Sequence, residues 1–186
     1  MVIFSYVIII IFILISRRYN ALRKKVVGDY VVNSRTMALV PVLQGDMKTK
    51  IYEKGNEVKF SEYSPIQIMR LSCLERGASL EGRFESIRYR LGVKQKVPVP
   101  IDLFADIYGI PLLSPRNVEN VWLFLNHVEK AEIVVAGRQA SILFPDGQLL
   151  VVNTTKYIID QQIAKASKCK LLFKEHELEL MRYGLM

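Results

Sequence analysis

SPIQIMRLSCLERGASLEGR, residues 64–83, decides how the rest of the chain reads. Ser64 is a good N-cap, and Pro65 suits the first helical position, where a backbone N–H would have no helical partner anyway. Ile66, Met69 and Cys73 fall on one helical face, with Ile68, Leu71 and Leu74 widening it. Gly77 follows as the residue just past the helix end, where a left-handed backbone is needed. Residues 77–83 then form a short loop of small side chains flanked by Arg76 and Arg83. Two roles are open to it. Backbone N–H groups with so little bulk around them can approach a phosphate closely while guanidinium forks hold it. The same residues also suit a tight helix-to-strand connection with solvated arginines.

Outward from this stretch the pattern is mostly strand. FESIRYRL, residues 84–91, alternates: Ile87, Tyr89 and Leu91 face one way, and Ser86, Arg88 and Arg90 the other. A strand with an arginine face beside the 77–83 loop would present one continuous basic surface; an ordinary solvated strand face is the alternative. Upstream, residues 36–43 are rich in β-formers, and Pro41 marks an edge position or a strand end. Residues 48–53 and 58–60 flank Lys54-Gly55-Asn56 as a hairpin. Downstream, residues 96–102 carry two prolines and read as an extended edge or crossover, and residues 103–107 as a short strand or turn. Residues 109–116 are loop, with Ser114-Pro115 as a second helix start, and residues 121–128 read as an apolar buried strand. Three more strands, 130–136, 139–144 and 148–153, are joined by Gly137-Arg138 and by the turn Pro145-Asp146-Gly147. Thr154 or Thr155 caps a helix to Lys168 with Tyr157, Ile158, Ile163 and Ala164 inward; a short apolar piece and a last helical pattern, 175–181, close the chain. The fold class expected is α+β: a mainly antiparallel sheet with two or three packing helices.

Charge is unevenly placed along the 186 residues, which carry a net +8. Residues 1–28 hold Arg17, Arg18, Arg23, Lys24 and Lys25 and no acid. Residues 70–96 hold Arg70, Arg76, Arg83, Arg88, Arg90, Lys94 and Lys96 against three glutamates, and the remainder is close to neutral. A polyanionic partner, nucleic acid or an anionic membrane, suits this balance. The apolar run VIFSYVIIIIFILI, residues 2–15, is short for a membrane span and has no basic residue before it, unlike a signal peptide. Residues 1–28 therefore read as a hydrophobic and basic extension: an N-terminal anchor with its C-terminal side in the cytoplasm, or sequence upstream of a later start, such as Val26 or Val27. Residues 29–186 are the folded domain.

Catalytic chemistry finds no constellation here. No phosphate loop, dinucleotide fingerprint, Gly-x-Ser-x-Gly or HExxH occurs, and neither a metal nor a cofactor is implied. His127 lies in an apolar segment and reads as a satisfied core imidazole, His176 as a solvent-exposed one. Cys73 and Cys169 make no disulfide framework, and a buried free thiol at Cys73 fits a reducing compartment. Trp122 reads as core, and Asp102 and Asp106 have no nucleophile near them in sequence.

Six pieces together resemble the ComK family of competence transcription factors of Gram-positive bacteria: YVVNSRTMALVP (30–41), KTKIYE (48–53), the opening stretch, KVPVPID (96–102), FPDGQLL (144–150) and the helix around TTKYIIDQQIAKA (154–166). The resemblance implies a cytoplasmic, nucleoid-associated activator of genes for DNA uptake and recombination. It further implies homo-oligomers on paired A/T-rich boxes of double-stranded DNA, read largely from the minor groove, and RNA polymerase as a partner. A narrow A-tract groove attracts arginines, so Arg70, Arg76, Arg83, Arg88 and Arg90, with Ser79, Lys94 and Lys96, are the candidate DNA-binding residues. An FMLYP-like motif for docking an adaptor is not recognisable, so degradation through an adaptor and a Clp protease does not carry over. The competing reading is a membrane-tethered interaction protein using residues 1–28.

Overall fold

The computed structural model describes residues 25–26, 28–43, 45–136 and 139–183. Residues 1–24 and Val27, and with them most of the extension expected over 1–28, lie outside the described residues. The helix read from the opening stretch forms as α1, Pro65–Leu74, with a capping box between Ser64 and Gln67 and Glu75 as its C-cap. Gly77 follows with φ +75°. Ile68, Met69 and Cys73 are buried as expected, and so is Ser72, whose Oγ accepts from Val32 N at 2.9 Å and donates to the Ile68 carbonyl at 2.7 Å. Leu74 stays 61% exposed.

Residues 84–91 are not a strand. Ser79 Oγ accepts from Gly82 N at 3.0 Å and caps a second helix, α2, Leu80–Leu91, closed by the left-handed Gly92 at φ 65°. Leu80, Phe84 and Ile87 recur at the helical period and are buried, while Tyr89, which strand alternation would have put beside Ile87, is 91% exposed. The connection after α1 therefore runs from helix to helix over residues 75–79, and Glu81 and Gly82 lie in the first turn of α2.

These helices cover a mixed but mainly antiparallel sheet. Its seven strands are β1 (Lys25–Val26), β2 (Thr36–Pro41), β3 (Thr49–Glu53), β4 (Glu57–Ser61), β5 (Val99–Asp102), β6 (Ile107–Pro111) and β7 (Trp122–Phe124), in the order β1-β4-β3-β2-β7-β6-β5. Only the two-residue β1 runs parallel to its neighbour, pairing Lys25 with Lys59 and Val26 with Phe60. Pro41 ends β2, where its missing donor is harmless. Trp122 and Phe124 share the α1 side of the sheet with Gly109, and Tyr108 and Ile110 are buried on its other face. Gly109 on β6 keeps that packing close: a Cβ there would meet Met69 Cε at 2.7 Å.

A second sheet of three antiparallel strands follows: β8 (Glu132–Ala136), β9 (Gln139–Leu143) and β10 (Leu149–Val152). Its β9–β10 turn grips the β3–β4 hairpin. Asp146 Oδ2 accepts from Gly55 N at 2.9 Å and Asn56 N at 3.3 Å, and Gln148 Nε2 donates to the Glu53 carbonyl at 2.7 Å.

Three other expectations are corrected. Residues 121–128 split into β7 and a one-turn helix, α3, Leu125–Val128. Ser114-Pro115 opens no helix; Asn117 N bonds to the Ser114 carbonyl at 2.9 Å in a turn. The helix capped by Thr155 does not stop at Lys168 but continues through the last helical pattern as α4, Lys156–Arg182. Its inward residues are Ile159, Gln162, Ala166 and Cys169; Tyr157 is 71% exposed, Ala164 is exposed, and Ile158 and Ile163 are half-buried. The fold class holds: α+β, mainly antiparallel, with three long helices and one single turn among the described residues.

Candidate nucleic-acid interface

A helix advances about 100° per residue, so side chains two apart sit about 160° from each other round its axis. That places Arg88 and Arg90 on opposite flanks of α2, where a strand would have put them together. Arg88 lies 5.5 Å over the Phe84 ring, and Arg90 lies 5.4 Å over Phe173 of α4.

Three neighbouring depressions share wall residues and together make a trench beside α1 and α2. The first, about 420 Å³, lies between α1, α2 and residues 114–116, with Arg70, Glu81, Phe84, Glu85, Arg88 and Arg116 on its walls. It shares Arg88, Ser114 and Pro115 with a second of about 380 Å³ that adds Lys94 and Lys96. It shares Ile66, Pro115 and Arg116 with a third of about 220 Å³ that reaches Lys48, Leu43 and Trp122. Six cations and two carboxylates line the trench, so its field is positive along its course.

The predicted residues divide accordingly. Arg70, Arg88, Lys94 and Lys96 are brought together, and Arg70 already holds Glu81 through Nε and Nη2 at 3.2 and 3.0 Å. That carboxylate is kept below the usual range by its own backbone N–H and then by Arg70. The pair is half exposed and worth well under about 1 kcal/mol, so a phosphate can replace the glutamate on Arg70 at little cost. Arg76, Ser79, Arg83 and Arg90 are not on the trench walls. Arg76 Nε is 2.6 Å from Asp102 Oδ2, and Asp102 is held below the usual carboxylate range by the Ala105 N–H and by Arg76. Arg83 donates to the Arg76 carbonyl at 3.2 Å and is half-buried; Ser79 is spent on capping α2. The single arginine ridge expected from the sequence is thus two sets on two flanks.

Arg116 and Lys48 were not anticipated. Arg116 follows Pro115 in a turn read as loop or helix start, and Lys48 stands just before β3; only their position across the chain from α2 brings them in. The signal in the sequence is faint: a basic residue directly after a proline-fixed turn.

Elsewhere the chemistry stays bland. His127 donates from Nε2 to the Ser34 carbonyl at 2.9 Å, and burial holds its pKa below the ordinary value, so the ring is neutral and satisfied. The side chain of His176 lies outside the described residues. Burial pushes the free thiols of Cys73 and Cys169 up to about 11 and about 12, which leaves both unreactive. Among the described residues no cluster of His, Cys, Asp and Glu could hold a metal ion, and no helix is long and apolar enough to cross a membrane.

The model of the family described as ComK protein matches residues 27–177, most of the chain. The chain belongs to the ComK family. A relative from Bacillus subtilis (strain 168), described as competence transcription factor, is 24% identical over 148 residues, which cover 79% of this chain and 76% of that protein. No solved structure matches. In this ComK-family chain, the residues that carried the likeness serve mainly as framework. Ser64 caps α1, Ser72 ties α1 to residue 32, Ser79 caps α2, and Asp146 and Gln148 of FPDGQLL hold the two sheets together.

Proposed function

We propose that this chain is a competence transcription factor that binds double-stranded DNA along the trench and has no catalytic step of its own. The observation that carries the reading is the run of six cations, Lys48, Arg70, Arg88, Lys94, Lys96 and Arg116, along three adjoining depressions that share walls. The family membership and the name of the Bacillus subtilis relative point the same way. In this reading phosphate contacts from the lysines fix register, and the guanidinium groups of Arg88 and Arg116 suit a narrow A/T-rich minor groove, whose enhanced negative potential favours them. Binding to paired boxes by a homo-oligomer, and a following contact with RNA polymerase in the cytoplasm, belong to the same reading.

Fluorescence anisotropy on an A/T-rich and a G/C-rich duplex tests it. Affinity for the A/T-rich duplex should be higher and should fall steeply between about 50 and 200 mM salt, as counterion release requires. The Arg88→Ala, Arg116→Ala double variant should bind at least about tenfold more weakly, with a salt slope shallower by about two. Parental affinity in that variant would remove the trench from the reading.

A further inference from the structure

Phe104 is 96% exposed, more than any other large apolar side chain among the described residues, and Leu103 beside it is 39% exposed. Both stand in the turn of the β5–β6 hairpin, residues 103–106. Hydrogen bonds fix this turn at both ends. Asp102 Oδ1 accepts from Ala105 N at 2.9 Å, Asp106 N donates to the Leu103 carbonyl at 3.4 Å, and Asp106 takes a left-handed φ of +58°. The two carboxylates are also met by cations: Asp102 by Arg76 of the α1–α2 connection, and Asp106 by Lys170 and Lys174 of α4 at 2.8 and 3.5 Å. Arg83 adds a further positive charge through the Arg76 carbonyl. An apolar tip thus rises from a collar of four cations and two carboxylates.

A lone exposed apolar residue needs no explanation. One fixed at the tip of a turn, inside a positive collar, fits a polyanion that also offers apolar surface. Double-stranded DNA offers both, with phosphates along each groove and stacked base pairs between them. We propose, resting on the DNA reading, that Phe104 is a wedge: its ring enters the minor groove and slips partly between two base pairs, with Leu103 against the groove wall and the collar beside the phosphates. Apolar side chains used in this way partly unstack the step they enter. Pyrimidine–purine steps such as TA unstack most easily, whereas A-tracts are stiff. Phe104 therefore selects TA steps within A/T-rich sequence, a preference that phosphate contacts in the trench cannot supply. The tip stands on the α2 flank that carries Arg83. A helix is about 10–12 Å across, well under one duplex turn of about 34 Å, so a duplex crossing α2 reaches both the trench and the tip.

Two duplexes of equal length and composition test this on the full-length protein: one of alternating T and A, one an A-tract, each with 2-aminopurine in place of some adenines. Binding should raise 2-aminopurine emission saturably in the alternating duplex and far less in the A-tract. Phe104→Ala should lose the rise and bind the alternating duplex at least about tenfold more weakly. Its salt slope should stay parental, since no charge is removed. Phe104→Trp should restore the rise, and its added emission, over that of the buried Trp122, should be quenched by stacking. Because the ring at position 104 lies in water, both variants should keep the parental melting midpoint. A parental rise in Phe104→Ala, or equal rises in the two duplexes, would overturn the wedge and leave binding along the trench standing. No binding to either duplex would overturn the DNA reading and the wedge together. A blue shift of Phe104→Trp on phosphatidylglycerol vesicles, with no quenching on duplex, would assign the tip to a membrane surface and overturn the wedge alone.

Discussion

Glu53 is buried at the end of β3 with both carboxylate oxygens engaged: Tyr30 Oη and Asn33 Nδ2 donate to Oε1 at 2.6 and 3.5 Å, and Lys59 Nζ stands 2.6 Å from Oε2. Burial alone would raise its pKa, but the Lys59 and Tyr30 hydrogen bonds outweigh it and hold the group below the usual carboxylate range. A lowered folded-state pKa means that the pair stabilises in full above the unfolded value of about 4.3 and loses that contribution as pH falls through the folded value. Glu53→Gln leaves Lys59 in a part-buried site without its anion, at a cost of about 3–5 kcal/mol. Urea midpoints at about pH 7 and pH 3 check both points: the variant should be much weaker at neutral pH and should lose less on acidification. Gly77 gives a cleaner case. Nothing lies within 4 Å of a Cβ built there, but φ is +75°, so Gly77→Ala should cost about 1–2 kcal/mol from backbone strain alone. A thermal melt reads this directly. Gly77 could be placed from sequence because its demand is local, whereas Lys48 and Arg116 come to one depression from distant parts of the chain.

At the scale of elements, α2 shows where periodicity misleads. Ile87, Tyr89 and Leu91 alternate, but Leu80, Phe84, Ile87 and Leu91 also repeat at helical spacing, and the longer pattern won because Ser79 and Gly92 cap it at both ends. The consequence is functional: Arg88 faces the trench, and Arg90 is across the helix on Phe173. Arg88→Ala should therefore lower DNA affinity and reduce the salt slope by about one, while Arg90→Ala should leave that slope unchanged. Equal losses in both variants, measured by anisotropy over a salt series, would mean that the flanks of α2 do not differ towards DNA. The hairpins, α1 and the Pro145-Asp146-Gly147 turn were legible because short-range chemistry specifies them. The joining of two apparent C-terminal pieces into one 27-residue α4 was not, since the intervening apolar residues suit a strand or a buried helix turn equally well.

Across the whole molecule, every wall of the trench comes from elements attached to the seven-stranded sheet: α1, α2, the end of β2 and the residues after it, the residues before β3, the residues leading from α2 to β5, and the turn before β7. The three-stranded sheet contributes none of them. It is tied in through Asp146, which takes the Gly55 and Asn56 N–H groups, and through the buried Gln148 side chain on the Glu53 carbonyl. Burial on the wider interface, through Ile142, Phe144 and Leu150, supplies the apolar part of the joint. Asp146→Ala with Gln148→Ala removes the polar clasp and leaves a buried backbone carbonyl without its donor, a loss of about 2–4 kcal/mol. If the two sheets open as separate cooperative units, that loss falls on one of them. Hydrogen exchange of the double variant should then speed up in β8, β9 and β10, with β2, β3 and β7 still protected. Affinity for an A/T-rich duplex, measured well below the melting midpoint, should stay at the parental value. Uniformly faster exchange in both sheets would show instead that the molecule opens as a single unit, and that the clasp stabilises the trench as much as it stabilises the sheet beside it.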